Sequence, residues 1–379
     1  MGLVRFLLAA AVVFHHSTSP WNLPWVDGHQ AVRLFYIISG FYMAMILDRK
    51  YATTREGMWL FYTNRALRIF PIYWLVLVAA GLFYAAAWAW LGRVPERFGW
   101  YLPLMESGHA EFLTGLGVSQ LALFGLDWFN LFDFQGAMLA WGGTVPEGRS
   151  AGFLCLVPQA WTLAVELSFY LFAPWITRWR TGLIFLLCAA GFALRVGLWI
   201  WRPVETGSLN YFWFPLQLPF FFLGILSYRW ARVSGPFWKK TGLALAARVA
   251  VLGLLAGYGL MPDGWDQAIS CGVLALLIPG LFEGEGRWQR WVGELSYPIY
   301  VVHILVKWVF LATQGVERTG QAEVSGLWLL AASLFAAIII EKAVGVPIEK
   351  WREKRLKPLL PTGRVEICVK KARAGNRKN

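Results

Sequence analysis

The sequence predicts an all-α integral membrane protein with about ten transmembrane helices. Of its 379 residues, 58% are hydrophobic and only 15% are charged, and the mean hydropathy is +0.50. A soluble domain carries about 25% charged residues. Apolar stretches of helical length recur along the chain, and Lys and Arg are concentrated between alternate stretches. These observations predict both the fold class and the orientation of the helices.

The predicted helices follow the hydropathy along the chain. The first resembles a signal peptide, with Arg5 before an apolar run, but a convincing small-residue cleavage site does not follow. We therefore expect a retained first helix. By number, the predicted spans are 2–17, 31–48, 69–91, 159–176, 182–201, 211–230, 243–261, 267–283, 294–312 and 325–345.

The distribution of basic residues predicts that both termini are cytoplasmic. In that orientation 25 of the 35 Lys and Arg residues lie inside and five lie outside. The apolar stretch Phe112–Phe134 could be a further span, but it would turn the later basic segments outward. We therefore expect a long outside region, 92–158, between helices 3 and 4, in which 112–134 is re-entrant or interfacial.

Two parts are predicted: a membrane domain, residues 1–348, and a basic cytoplasmic tail, residues 349–379. Residues 350–379 carry eleven Lys and Arg against two Glu. Attraction to anionic lipid headgroups explains this charge without a nucleic acid partner. The four cysteines form no CxxC motif and the five histidines form no HExxH motif, so we expect neither a disulfide framework nor a metal site.

Ionisable residues inside apolar helices are costly to place, so they are functional candidates. Arg5 and His16 are eleven residues apart, which puts them on one helix face about 16 Å apart along the axis. A solvated helix end is the alternative interpretation of His16. Glu166 and His303 lie well inside the fourth and ninth spans. At about 1.5 Å per residue, we expect His16, Glu166 and His303 at similar depth.

Two arginines, Arg65 and Arg68, lie one turn apart at the predicted cytoplasmic end of the third span. Because arginine binds phosphate bidentately, this pair suits a polyanion, although positive-inside anchoring also explains it. With Arg5, the pair predicts a phosphorylated ligand at the cytoplasmic mouth, whose reactive end reaches into the membrane.

Five segments of the chain resemble, in order, motifs of the acyltransferase-3 family of bacterial integral membrane acyltransferases. They are the spacing Arg5-x10-His16, the SGF segment Phe35–Phe41, the RxxR and R-x-x-P-x-Y segment Arg65–Tyr73, the W-x-L-x-x-E segment Trp161–Pro174, and the S-x-x-x-Y-x-x-H segment Ser296–His303. The chain departs from the family pattern at Ala31 and Arg33, where Gly and an acidic residue are usual.

The resemblance implies transfer of an acyl group from acetyl-CoA or another acyl-CoA, without a metal. The implied acceptor is a hydroxyl of a cell-surface or exported glycan, or of a lipid-linked sugar, and the implied place is the bacterial inner membrane. Arg5, Arg65 and Arg68 would hold the CoA phosphates. O-acetylation of a polysaccharide is the expected outcome.

The resemblance leaves two alternatives for the general base. His16 would be the general base, with Glu166 orienting its imidazole, or Glu166 would itself be the base. His303 is a second acid/base or a group that stabilises the oxyanion.

Three residues are predicted to lie on the substrate side. Ser39 could relay the acyl group, although the SGF segment favours close helix packing through Ser39 and Gly40. Tyr300, one turn before His303, could hold the histidine ring. Trp161 is the third residue predicted to lie on the substrate side. Sugar stacking is also open to the loop tryptophans Trp100, Trp128 and Trp141, although interfacial belts explain most of the 23 tryptophans.

A transporter or flippase for an anionic or glycan substrate is the alternative function. Discontinuous helices and inverted repeats would favour it, but the sequence contains no convincing internal repeat. A non-catalytic scaffold does not explain the intramembrane titratable groups.

Overall fold

The fold is described from a computed structural model. By number, it describes residues 1–18, 25–51, 54–91, 101–135, 138–141, 150–201, 207–239, 241–262, 264–283, 285–313 and 324–356. Of these, the side chains of residues 90–91, 101–103, 134–135, 138–141, 241 and 356 are left out of the description.

Helices dominate the described residues. In chain order they are α1 (Gly2–His15), α2 (Gly28–Arg49), α3 (Arg55–Leu91), α4 (Tyr101–Glu106), α5 (Ala110–Ala122), α6 (Leu126–Phe129), α7 (Trp161–Ile176), α8 (Thr181–Trp201), α9 (Gly207–Phe212), α10 (Phe214–Trp238), α11 (Thr241–Ala256), α12 (Asp266–Phe282), α13 (Arg287–Thr313), α14 (Gly326–Ile340) and α15 (Val346–Leu356). Short 3-10 helices cover Ala151–Leu154, Pro158–Ala160 and Tyr258–Leu260.

Each of the ten predicted spans contains a helix, but their lengths differ. Among the described residues, six helical stretches are long and apolar enough to cross a membrane: α2, α3, α8, α9 with α10, α13, and α14 with α15. Helices α1, α11 and α12 are apolar but shorter. The fourth predicted span is the 16-residue helix α7, which contains Glu166. The structure thus confirms a helical membrane protein, and ten spans and their orientation stay predictions.

The sequence-based prediction places the start of the third helix too late in the chain. Hydropathy places its start at residue 69, whereas α3 begins at Arg55. The additional turns contain Asn64, Arg65 and Arg68, which are polar but compatible with a helix. Arg65 and Arg68 therefore project from a continuous helix, and a rigid element fixes their spacing.

The region between α3 and α7 contains the one departure from an all-α fold among the described residues. The stretch Phe112–Phe134 is not a single helix, because α5 ends at Ala122 and Leu123 adopts a left-handed conformation. Strands β1 (Phe132–Gln135) and β2 (Met138–Trp141) follow as an antiparallel pair, in which Phe132 is opposite Trp141.

Helices α2 and α10 pack closely together. A Cβ at Gly40 would overlap the carbonyl oxygen of Phe221, and a Cβ at Gly224 would overlap that of Ile37. Close approach through small residues is typical of membrane helices. The prediction that the SGF segment permits close packing is therefore confirmed at Gly40. The large buried core surrounds this contact and includes Phe41 and Phe221.

Helix α1 runs parallel to α13. Near one end of the bundle a Cβ at Gly293 would overlap Cα of Gly2. Fourteen residues further along each helix, the ammonium nitrogen of Lys307 lies 2.6 Å from the carbonyl oxygen of His16. Equal spacing on both helices brings His16 beside the middle of α13.

The last described helix, α15, continues from α14. A π-helical turn, Glu341–Gly345, joins α14 to α15. Helix α15 packs against α3, and Arg352 on it is only 5% exposed. The predicted boundary at residue 349 falls inside α15, and residues 357–379 of the predicted tail lie outside the described residues.

Candidate active site

His16 and His303 meet in the structure. Their ring centroids are 5.3 Å apart, with the ring planes inclined by 30°. His303 is fully buried, whereas His16, at the C-terminal end of α1, is partly exposed. The pair therefore has one imidazole that solvent or a ligand can reach and one that is enclosed.

The hydrogen bonding of His303 defines its tautomer. Nδ1 lies 2.7 Å from the carbonyl oxygen of Tyr300. Because a carbonyl oxygen only accepts hydrogen bonds, Nδ1 carries the hydrogen and Nε2 carries the lone pair of the neutral ring. Nε2 is buried and has no hydrogen-bond partner among the described residues. A buried acceptor of this kind is a candidate site for a proton or a ligand donor.

The backbone around His16 is anchored from two directions. Lys307 donates to the carbonyl oxygen of His16, which would otherwise be an unpaired acceptor at a helix end. Two residues later, the amide of Thr18 donates to the carbonyl oxygen of Val324, 3.0 Å away, and the amide of Gly326 donates to Thr18. These bonds hold the end of α1 against α13 and α14.

Glu166 lies in a separate polar cluster with Ser39 and Tyr170. Its Oε1 accepts hydrogen bonds from the Ser39 hydroxyl, at 2.6 Å, and from the Tyr170 hydroxyl. The two hydroxyl oxygens are 3.2 Å apart. The cluster joins α2 to α7, and Oε2 of Glu166 takes part in neither bond.

The structure does not place Glu166 beside the histidines. The Tyr300 hydroxyl lies 2.8 Å from Oγ1 of Thr162, which fixes the register between α13 and α7. Glu166 is one turn beyond Thr162, and His303 is one turn beyond Tyr300 in the opposite direction. At about 1.5 Å per residue, the two levels are about 10 Å apart. The expectation of similar depth was therefore wrong for Glu166.

Because of this register, Glu166 does not make the expected contact with His16. Among the described residues, the hydrogen-bond partners of Glu166 are Ser39 and Tyr170. Hydropathy counts cannot supply the offset, because it depends on where the 3-10 helix Pro158–Ala160, just before α7, contacts α13. Gln159 makes that contact by donating to the carbonyl oxygen of Val301, 2.6 Å away.

The three predicted donor-binding arginines gather at the other end of the bundle. Arg5 lies over the ring of Tyr42, with Cζ 5.9 Å from the centroid, and interacts electrostatically with Arg68 and Glu166. Arg65 interacts with Tyr170, and its buried Nε has no partner among the described residues. We call this side the arginine end, defined by Arg5, Arg65 and Arg68.

The opposite side is the histidine end, defined by His15, His16, His29 and His303. The ring of His15 lies 5.2 Å from His16 and 4.6 Å from His29. His29 contacts Tyr211, whose ring lies 5.0 Å from Trp161. The predicted residue Trp161 thus joins the histidine end through Tyr211 and is itself mostly buried.

Sequence reasoning missed several of these residues. Thr162 and Lys307 each lie one turn from a predicted residue on the same helix, so helical spacing was the signal that could have found them. His29 and Tyr211 lack such a signal, because tertiary contacts alone bring them to His15 and Trp161. Of the loop tryptophans, Trp128 packs against Trp213, while Trp100 and the Trp141 side chain lie outside the described residues.

An acidic side chain outside the long apolar helices anchors the start of α10. Asp127, in α6, is 1% exposed, and its Oδ2 accepts from the amide of Phe214 at 3.2 Å. Burial disfavours the charged carboxylate and raises the pKa of Asp127 to about 6. In the part of the chain that the structure describes, His, Cys, Asp and Glu form no group that could hold a metal ion.

The structure is that of an α-helical membrane protein with imidazoles, a carboxylate and arginines in its interior. The sequence model described as "Acyltransferase domain" matches residues 1–341, and the chain belongs to this acyltransferase family.

Two curated proteins are similar over most of their length. The exopolysaccharide production protein ExoZ of Rhizobium meliloti (strain 1021) is 27% identical over 365 residues, covering 89% of this chain and 91% of that protein. Nodulation protein 10 of Rhizobium leguminosarum bv. viciae is 25% identical over 347 residues, covering 82% and 83%. No solved structure matches the chain significantly.

Proposed function

We propose that this acyltransferase moves an acyl group, most simply acetyl, from acyl-CoA to a hydroxyl of a cell-surface or exported glycan. The observation that carries the proposal is the layered arrangement of the bundle interior. The arginines lie at one end with the Glu166 cluster beside them, and the His16–His303 pair lies towards the other end. Such an arrangement suits a donor and an acceptor that approach from opposite ends.

The arginine end fits the phosphates of acyl-CoA. Arginine is the preferred residue for bidentate phosphate recognition, and Arg65 has a buried nitrogen without a partner among the described residues. The positive-inside rule assigns this end to the cytoplasm, where acyl-CoA is made available. Arg5 to His16 spans about 16 Å, so the donor would reach from the arginines to the histidines along α1.

The histidine pair supplies the base. The acyl thioester provides an electrophilic carbonyl carbon and a thiolate leaving group. His16 is the partly exposed member, so it takes the proton as the acceptor oxygen forms its bond to the acyl carbon. His303 is enclosed and presents the lone pair of Nε2, so it acts as the second acid/base group beside His16. The proton finally passes to the departing thiolate.

Glu166 has a positioning role in this proposal. By accepting from Ser39 and Tyr170 it fixes two hydroxyl groups beside the arginine end. Those hydroxyls are placed to contact the donor as it passes. The level of Glu166, about 10 Å from His303, supports His16 as the base in preference to Glu166.

The acceptor enters at the histidine end. Trp161 and Tyr211 offer aromatic rings there, and aromatic rings can stack on sugars. The printed names of the relatives connect one to exopolysaccharide production and the other to nodulation. An exported or lipid-linked glycan at the bacterial inner membrane is therefore the acceptor class that we propose.

The test uses the purified protein in lipid nanodiscs with labelled acetyl-CoA and candidate glycans. We expect label to pass to the glycan, and His16→Ala to lose this activity while keeping a wild-type elution profile and melting temperature. Undiminished transfer by His16→Ala would overturn the proposed base. Movement of the glycan across the bilayer of reconstituted vesicles without acylation would instead support a transporter.

A further inference from the structure

We propose that Arg352, on α15, is a further donor-binding residue whose charge Glu349 neutralises until the donor phosphates displace that carboxylate. The inference rests on the proposed use of acyl-CoA and extends it to a helix that the predicted site does not include. It concerns a pocket at the arginine end, formed where α3, α13, the π-helical turn Glu341–Gly345 and α15 meet.

One carboxylate oxygen bridges two arginines in this pocket. Oε2 of Glu349 accepts a hydrogen bond from the Arg352 guanidinium and lies 3.8 Å from Nη1 of Arg68. Arg68 is one of the residues predicted to hold phosphate, and Arg352 interacts electrostatically with both Arg65 and Arg68. The carboxylate thus occupies the position between two guanidiniums that a phosphate oxygen would take.

Arg352 has the features of a ligand-binding arginine. Its side chain is only 6% exposed, and its buried Nε has no hydrogen-bond partner among the described residues. A buried guanidinium with an unused donor keeps part of its hydrogen-bonding capacity available. Arg355, one turn further on α15, differs, because it donates to Thr63 at 3.0 Å and lies over the Trp351 ring.

Glu349 is the carboxylate best placed to move. Glu294 and Glu341 also line the pocket, so an anion can enter favourably only if negative charge leaves. Among the three, Glu349 holds both arginines and is 43% exposed. It lies on α15, beyond the π-helical turn Glu341–Gly345, and such turns are frequent at functional sites. Rotation of its side chain into solvent would uncover Arg68 and Arg352 together.

Opposite effects of two substitutions test this proposal. CoA affinity is measured with the full-length protein in phosphatidylcholine nanodiscs. Arg352→Gln is expected to raise the Kd for CoA about tenfold, since it removes charge-assisted hydrogen bonds. Glu349→Gln is expected to lower the Kd, because it removes the competing anion. Arg355→Gln is the matched control and should stay within about twofold of wild type.

A purely structural ion pair predicts a different pattern. In that case Arg352→Gln and Glu349→Gln would weaken CoA binding alike, which would overturn the proposal, as would unchanged affinity in Arg352→Gln. Arg352→Lys keeps the positive charge and should recover part of the loss. If Arg352→Gln does not fold, the Kd values for CoA of Arg352→Lys and Glu349→Gln are compared instead. Weaker binding in both variants would again overturn the proposal.

The remaining outcomes separate this proposal from the proposed function and from lipid binding. If the wild-type protein does not bind CoA, both the proposed donor and the role of Arg352 are wrong. If the wild-type protein binds CoA and the variants bind it with the same Kd, only the role of Arg352 is wrong. An anionic lipid headgroup offers the same phosphate chemistry. Loss of retained phosphatidylglycerol in Arg352→Gln, with CoA affinity unchanged, would make this a lipid site and overturn the proposal.

Discussion

At the scale of single residues, the chemistry depends on which nitrogen of His303 is free. The Tyr300 carbonyl oxygen occupies Nδ1, so Nε2 is left as a buried acceptor in the neutral ring. The neighbouring His16 is the more exposed imidazole of the two, and Lys307 holds its backbone. In the proposed function, the pair therefore combines an accessible base with an enclosed partner.

Replacing His303 tests its part in the pair. We expect His303→Gln to lower kcat about 10²- to 10⁴-fold, the range for loss of acid–base assistance. The donor KM should change little, because the predicted phosphate-binding residues are at the opposite end. His109→Gln, in the region between α3 and α7, is the control. Steady-state acyl transfer measures both, and a wild-type kcat in His303→Gln would remove it from the mechanism.

At the scale of helices, two close contacts determine where the polar residues meet. The α2–α10 contact uses Gly40 and Gly224, and it supports the helix that carries Ser39. The α1–α13 contact starts at Gly2 and Gly293 and brings His16 to His303. The candidate site therefore depends on glycines that lie well away from the reacting groups.

Adding one methyl group to the α2–α10 contact should destabilise the bundle. Gly224→Ala places a Cβ against the carbonyl oxygen of Ile37, and such overpacking costs about 1–3 kcal/mol. The expected result is a lower melting temperature in detergent. Gly235→Ala on the same helix is the control, because its Cβ would meet open space. Equal melting temperatures for the two variants would contradict this packing.

The link between α6 and α10 should depend on pH. Burial raises the pKa of Asp127 to about 6 from the unfolded value of 3.8, so the folded state binds the proton more tightly. Asp127 therefore favours folding at low pH, and this contribution is lost as pH rises through 6. The difference is on the order of 3 kcal/mol.

A substitution isolates this effect. The melting temperature of the wild-type protein should rise more than that of Asp127→Asn when pH is lowered from 7.5 to 5. Other groups titrate in both proteins, so the difference between them reports Asp127. Identical pH dependence of the two melting temperatures would show that Asp127 does not titrate in this range.

How far the sequence predicts these features depends on the kind of contact. Hydropathy located a helix at every predicted span, because burial in lipid requires an apolar segment of helical length. It did not locate the start of α3, the β1–β2 hairpin or the level of Glu166. These depend on polar helical turns, local backbone conformation and the register set by Thr162 and Tyr300.

The same distinction applies to the candidate site. The spacing of Arg5 and His16 on one helix is a local property, and the sequence predicts it. The bond of Glu166 to Ser39 and the ion pair of Glu349 with Arg68 join distant segments. Partners of this kind cannot be read from spacing along one chain.

At the scale of the whole molecule, the polar interior extends from the arginine end to the histidine end. The positive-inside rule predicts that the arginine end faces the cytoplasm. The chain belongs to an acyltransferase family, and the proposed function places its donor and its acceptor on opposite sides of the membrane. The central claim of the proposed function is therefore that the donor and the acceptor approach from opposite sides of the membrane.

Acyl transfer in vesicles of known orientation tests that claim most directly. Labelled acetyl-CoA is supplied on one side only, with the glycan acceptor on the other, and His16→Ala serves as the inactive control. We predict transfer in the vesicles that expose the cytoplasmic face to acetyl-CoA, and at most background transfer in the opposite orientation. Equal transfer in both orientations, or the same transfer by His16→Ala, would contradict the account.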